Sequence, residues 1–229
     1  EVSKAQWFDL MHFEGNANAF RILTHQFEGK RSGGFSMTYS TLAALIKYPF
    51  PSMAFPEKKK YGFFNSDIAN YEEIANELGL KVLNAEKQVF ARHPLVFLVE
   101  AADDIAYQLM DLEDAMKLRI LGMEETEELF LNFFDRKADI KFFSILKSVY
   151  DEITDENERI AFLRANVIGR LISQSIDVFM EKHDEILDGG FQESLIKNLP
   201  PISATAMKRV SNLSVEKIYR NPEVISIEL

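Results

Sequence analysis

Apolar residues recur at three- and four-residue intervals through most of the chain, the pattern of helices that bury one stripe. Gln6–Met11 leads into a helix over Asn16–Phe27, where Ala17, Phe20, Ile22, Leu23 and Phe27 keep that spacing. Residues 28–34, with three glycines and two basic residues, read as a loop. Thr38 or Ser40 suits the cap of a short helix over Thr41–Tyr48, stopped by Pro49. Residues 49–62 carry three prolines and the run Lys58–Lys60, and predict an irregular, mobile surface loop. Ser66 is placed to cap a helix over Asp67–Leu78 with Tyr71, Ile74, Ala75 and Leu78 on its stripe, and Gly79 to close it.

From Leu95 the helical pattern runs to Gly122, the expected stop. Glu124–Phe134 and Ile140–Tyr150 predict two amphipathic helices. A long one follows over Asn157–Lys182, with Ile160, Leu163, Val167, Ile168, Leu171, Ile172, Ile176 and Phe179 on one broad face, and Gly189-Gly190 as the break. Glu193–Leu199, Ser203–Arg209 and Ser214–Arg220 are short helical candidates, and Glu223–Glu228 alternates as a short strand would, or starts a helix. No repeat, low-complexity tract or linker is visible. The expected fold is an all-α multi-helix bundle forming a single domain over residues 1–229, with a short strand possible only at its C-terminal end.

Composition narrows the class. Seven prolines and ten glycines in 229 residues give little of the turn punctuation of an all-β chain. Nineteen phenylalanines suit a large aromatic core or an oligomer interface. No apolar run approaches the length of a membrane-spanning helix, so no membrane partner is expected. The absence of cysteine excludes disulfide scaffolds, thiolate zinc sites and cysteine nucleophiles. Neither a basic segment nor an apolar run follows Glu1, so no secretory signal is visible, and a cytoplasmic setting is the expectation for a chain that reads as a trimmed piece. A formal charge of −10 argues against general nucleic-acid binding, because phosphate contacts need cations, yet leaves room for a small anion in a local basic pocket.

The densest polar signal interrupts the helix from Leu95: Glu100-Ala-Ala-Asp-Asp-Ile-Ala-Tyr107, then Asp111-Leu-Glu-Asp114. On a helix, Asp103, Tyr107 and Asp111 share one face about 12 Å long, at roughly 1.5 Å per residue. Stacked carboxylates repel, so a hard cation and a hydrogen-bonding ligand are the natural counterparts, against the plainer reading of a solvated acidic face. The apolar flanks, Leu95, Phe97, Leu98 and Val99 before and Ile105 within, predict carboxylates that are buried or face a cleft.

These residues resemble the deoxyguanosinetriphosphate triphosphohydrolase family, the bacterial HD-domain dNTP triphosphohydrolases. The blocks that carry the resemblance are His12-Phe-Glu-Gly-Asn-Ala17 with Phe20–Leu23, Thr38–Ala43 running to Lys47-Tyr48-Pro49, Lys59–Phe64, and Arg92-His-Pro-Leu95 with the acidic run, all in the family's order. The match is strong over residues 5–120 and weaker over 155–229. It implies an HD-domain-like bundle that cuts a dNTP, often dGTP, between the sugar 5′-oxygen and the α-phosphate, releasing the deoxynucleoside and tripolyphosphate. It also implies Mg²⁺ or Mn²⁺ held by a His, a His-Asp pair and a final Asp, which Asp103 resembles. Tyr107 and Asp111 resemble the residues that meet the deoxyribose, Lys47 and Tyr48 those near the triphosphate, and Asn16 and Arg21 other pocket residues, with Arg164 and Asn166 carried over from a later Leu-Arg-x-Asn pattern. Homo-oligomers are implied as well, with dNTPs or single-stranded DNA as effectors.

The family's first His and His-Asp pair should precede the Glu14-Gly-Asn-Ala17 block, and nothing before Phe13 supplies them. The one His-Asp dipeptide, His183-Asp184, lies 80 residues after Asp103 and reads as a chance pair on a helix surface. The general acid/base residues have no counterpart, so the catalytic group is unassigned. With one metal ligand of four, the chain alone is expected to be inactive, or to be a non-catalytic nucleotide-binding or regulatory relative.

Overall fold

The computed structural model describes residues 2–26, 28–29 and 34–222. The fold is helical, as expected, and ten α-helices and one small antiparallel ribbon lie among these residues. The expected C-terminal strand over 223–228, and Phe27 and residues 30–33 of the first loop, lie outside them. None of the helices is long and apolar enough to cross a membrane. The chain divides into two compact units: Glu1–Glu100 with Lys182–Gln192, and Ala101–Glu181 with Glu193–Leu229.

In the first unit, α1 (Lys4–Met11) starts at a capping box in which the Ser3 hydroxyl accepts from the Gln6 N–H and the Gln6 side chain accepts from the Ser3 N–H. α2 (Gly15–Thr24) is capped by the Glu14 carboxylate, which accepts from the N–H groups of Asn16 and Ala17. Thr38, not Ser40, caps α3 (Tyr39–Ala44), which ends sooner than its sequence suggests because the chain bends at Leu45 ahead of Pro49. α4 (Ile68–Glu77) closes at Gly79, whose φ of 63° needs no Cβ to be accommodated.

Two features of this unit depart from the sequence pattern. A ribbon of β1 (Val82–Asn84) and β2 (Val89–Phe90) pairs Val82 with Phe90 and Asn84 with Val89. Its strands are too short for a period-2 signal, and the turn is made by Asn84, which accepts from the Lys87 N–H, and by Gln88 at φ 53°, not by glycine. The segment expected as a mobile loop is packed over most of its length. Phe50, Pro51, Ser52 and Ala54 are buried, Pro51 bridges Phe63, and Met53 and residues 56–60 stay at the surface. Buried Asp9 of α1 ties it down, accepting from the Ser52 hydroxyl (2.5 Å) and the Asn65 amide (2.8 Å). The core is aromatic: Phe20, Phe63, Tyr71 and Phe90 interlock, with Phe63 stacked on Tyr71 at 4.5 Å.

The second unit holds most of α5 (Pro94–Lys117), α6 (Met123–Leu131), α7 (Ile140–Glu152), α8 (Glu156–Glu181) and α10 (Pro201–Leu213); α9 (His183–Leu187) belongs to the first. α5 stops at Lys117, before Gly122; just beyond it Arg119 takes the left-handed conformation (φ 60°) usually left to glycine while the Ile120 N–H turns back to the Ala115 carbonyl. Gly122 instead starts α6, its carbonyl accepting from Thr126. Leu109 and Leu112 of α5, Leu129 and Phe130 of α6, Ile160, Leu163, Val167 and Leu171 of α8 and Val210 of α10 form one core. The buried face of α8 is narrower than its apolar pattern suggests: it continues through Ser175 and Val178, while Ile172 and Ile176 are about half exposed. A strict three- and four-residue step leaves them off the line that faces the core.

Candidate functional site

The acidic face in the second unit is built on one uninterrupted helix, so Asp103, Tyr107 and Asp111 keep the expected register. Their burial differs from expectation. Asp103 is exposed, Asp111 is half-buried, and Tyr107 presents 60% of its surface to solvent. The carboxylate that α5 buries is Glu113, 6% exposed. The reason is the helical step: Ile105, Leu109 and Leu112 point to the core, and of the acidic residues only Glu113 falls beside them.

Glu113 does not stand alone. Oε1 meets the ammonium of Lys117 at 2.6 Å and Oε2 meets Nε of Arg164 at 2.7 Å. A second guanidinium nitrogen of Arg164 lies 2.7 Å from the sulfur of Met110. Arg164 therefore neutralises a buried carboxylate on α5 from α8. Asn166 spends its side-chain amide on the Phe162 carbonyl of its own helix.

Tyr219, which no sequence pattern singles out, joins Tyr107 and Asp111. Its phenol donates to Asp111 Oδ2 at 2.5 Å, and its ring lies 6.2 Å from that of Tyr107. Burial first, then the hydrogen bond and charge of Asp111, push the Tyr219 hydroxyl well above the usual tyrosine range, so it stays a donor at any physiological pH. Two aromatic faces and a fixed carboxylate form an arrangement that can flank a small ring and accept from its hydroxyl.

In the first unit, buried Glu14 holds Asn16 and Lys60: its Oε1 accepts from the Asn16 amide at 2.8 Å and from the Lys60 ammonium at 3.0 Å. Arg21 pairs with Asp67 (3.1 Å) and donates to the Ser66 hydroxyl (2.8 Å). Burial raises the Asp67 carboxyl, and the nearby guanidinium works against that rise. Arg21 also lines a cleft of about 480 Å³ with Asp9, Asn18 and Ser66 at its polar end and Leu10, Phe13 and Phe64 at its apolar end. Lys47 and Tyr48 are half-buried, the Tyr48 ring 6.3 Å from Phe50. Their backbone is held by Gly62: a Cβ there would run into the Tyr48 carbonyl and come within 2.6 Å of Ile46.

Among the described residues, no group of three or more His, Asp or Glu side chains is placed to hold a metal ion. Asp103 is a single donor, and one carboxylate does not make a divalent cation site. His183 and Asp184 contact each other at 3.0 Å on α9, with Asp184 fully exposed.

No protein-family model matches the chain. It is 33% identical over 232 residues to a deoxyguanosinetriphosphate triphosphohydrolase-like protein of Pseudomonas aeruginosa, covering 96% of this chain and 49% of that protein. A protein of the same name from Synechocystis is 32% identical over 231 residues, covering 96% and 49%. The deoxyguanosinetriphosphate triphosphohydrolase of Cronobacter sakazakii is 26% identical over 237 residues, covering 96% and 44%. The chain spans about half the length of the curated relatives it matches. Its resemblance to the deoxyguanosinetriphosphate triphosphohydrolase family thus extends over nearly all of its residues, beyond the early blocks where the motifs are densest.

Proposed function

We propose that this chain is part of a metal-dependent enzyme that hydrolyses dGTP, or another dNTP, to deoxynucleoside and tripolyphosphate. The observation that carries the reading is the α5 face on which Tyr107 and Asp111 stand exposed and half-buried in one register, in a chain whose relatives bear that enzyme's name. Asp111 accepts from the 3′-hydroxyl of the sugar. Tyr107 packs against C2′, where a ribose hydroxyl would meet an apolar ring and lose its hydrogen bonds to water. Lys47, Tyr48, Asn16 and Arg21 are proposed as further dNTP contacts. Arg164 serves by holding Glu113, and so the α5 surface, in place.

Asp103 is proposed as one ligand of a Mg²⁺ or Mn²⁺ ion, which would supply Lewis-acid chemistry at the phosphate. The described residues do not complete that ion's coordination, and the reading requires further ligands. The protein is further proposed to act in the cytoplasm as a homo-oligomer, with a dNTP or single-stranded DNA as effector.

A second reading is a nucleotide-binding or regulatory module without catalysis. One experiment separates them: incubate the protein of the intact gene with dGTP and Mn²⁺ or Mg²⁺, and score deoxyguanosine and tripolyphosphate. The enzyme reading expects tripolyphosphate that disappears with a chelator and with Asp103→Ala. Nucleotide binding without any hydrolysis favours the module, and full activity in Asp103→Ala removes the metal role.

A further inference from the structure

α10 does not end in an ordinary cap. Past Leu213 the chain continues as a wide, π-helical turn over Ser214–Tyr219. Such turns are rare overall, and they are frequent at functional sites. Ser214 and Ile218 are both buried, which seats the turn on the core of the second unit. Its last residue is Tyr219, whose phenol reaches Asp111 Oδ2, 108 residues earlier in the chain.

Among the described residues this is the only hydrogen bond made to the Asp111 side chain, and it engages Oδ2 alone. A half-buried aspartate with one free oxygen and no tether turns readily about its terminal torsion. With Oδ2 pinned by a donor that is never ionised at neutral pH, the carboxylate has a set orientation on the helix face it shares with Tyr107.

We propose that Tyr219 is a positioning residue for Asp111, fixing one carboxylate oxygen so that the other is presented, already oriented, to the 3′-hydroxyl of a deoxynucleotide. The proposal rests on the reading of Asp111 as the sugar contact. It gives the wide turn a role, since the turn ends on the residue whose phenol reaches Asp111. Its gain is preorganisation, because the carboxylate need not be ordered when the ligand arrives.

The test is binding of dGTP and of 2′,3′-dideoxyGTP by calorimetry under chelation, where no turnover occurs, to the full-length protein, Tyr219→Phe, Asp111→Asn and the double variant. Phenylalanine keeps the ring and its packing, and an unchanged melting temperature checks that. The wild type is expected to lose roughly tenfold in affinity without the 3′-hydroxyl, the scale of one charge-assisted hydrogen bond. Tyr219→Phe should bring that ratio to within about threefold, by weakening dGTP and leaving the dideoxy analogue alone; a merely structural role would weaken both equally. The double variant should lose nothing beyond Asp111→Asn. A full wild-type ratio in Tyr219→Phe, with the ratio lost in Asp111→Asn, overturns the positioning role and leaves the sugar contact standing. Indifference of both wild type and Asp111→Asn to the 3′-hydroxyl removes the sugar contact, and Tyr219's role with it.

Discussion

Arg164→Ala is the sharpest probe of the second unit. Glu113 is 6% exposed and carries two cations, Arg164 at 2.7 Å and Lys117 at 2.6 Å. Removing one partner of a buried ion pair costs about 3–5 kcal/mol, because the remaining charge stays desolvated. Here Lys117 remains, but about half of its side chain is in water, where an ion pair contributes no more than about 1 kcal/mol. Arg164 itself keeps 23% of its side chain exposed, which softens the loss further. The expected destabilisation is therefore about 2–3 kcal/mol, below the range for a fully buried pair. For a chain of 229 residues, that lowers the melting temperature by roughly 4–12 °C. Urea and thermal unfolding followed by far-UV circular dichroism measure it, since the single tryptophan, Trp7, lies in the first unit. The double variant Glu113→Leu/Arg164→Ala, with the buried charge gone, should recover at least 1 kcal/mol of the loss, as expected of residues in one network. A cost for Arg164→Ala within about 0.5 kcal/mol, or strict additivity in the double variant, would refute the account of Arg164 as the counterion of Glu113.

The remaining predictions concern the first unit. Gly62→Ala should cost about 1–3 kcal/mol or more, since its Cβ would collide with the Tyr48 carbonyl and Ile46, and a wild-type melting temperature would show that the segments are not in that close approach. His93 uses Nδ1 to accept from the Leu95 N–H at the start of α5, and burial holds its pKa below 6.5. Its folded value lies below its unfolded one, so its contribution is complete above pH 6.5 and is lost as pH falls beneath that value. Between pH 7 and pH 5 the wild type should lose more stability than His93→Asn, which caps without titrating; equal losses would remove His93 as the acid-sensitive cap.

What was legible in the sequence was whatever the chain decides locally. The helical class, the Gly79 stop, a cap at Thr38 or Ser40 and the common face of Asp103, Tyr107 and Asp111 depend on neighbours within a few residues. The ribbon at Val82–Phe90 was not legible: two strands of three and two residues are shorter than any periodic signal, and their pairing rests on the packing of Phe90 under Tyr71. Nor was the end of α5, where Arg119 takes a backbone conformation that local preference assigns to glycine and Leu121 turns into the core. Periodicity marks which residues are apolar, but only the assembled core decides which of two adjacent stripes it needs, and so Ile172 and Ile176 stay outside it.

The candidate site divides the same way. Helical spacing alone aligns Tyr107 with Asp111. Only the tertiary structure buries Glu113 and spends Arg164 on it, because a desolvated carboxylate takes the nearest cation, whatever its distance in sequence. Only the tertiary structure, too, brings Tyr219 to Asp111: the contact spans 108 residues and depends on a wide turn seated by buried Ser214 and Ile218, an arrangement that hydrophobic spacing does not encode.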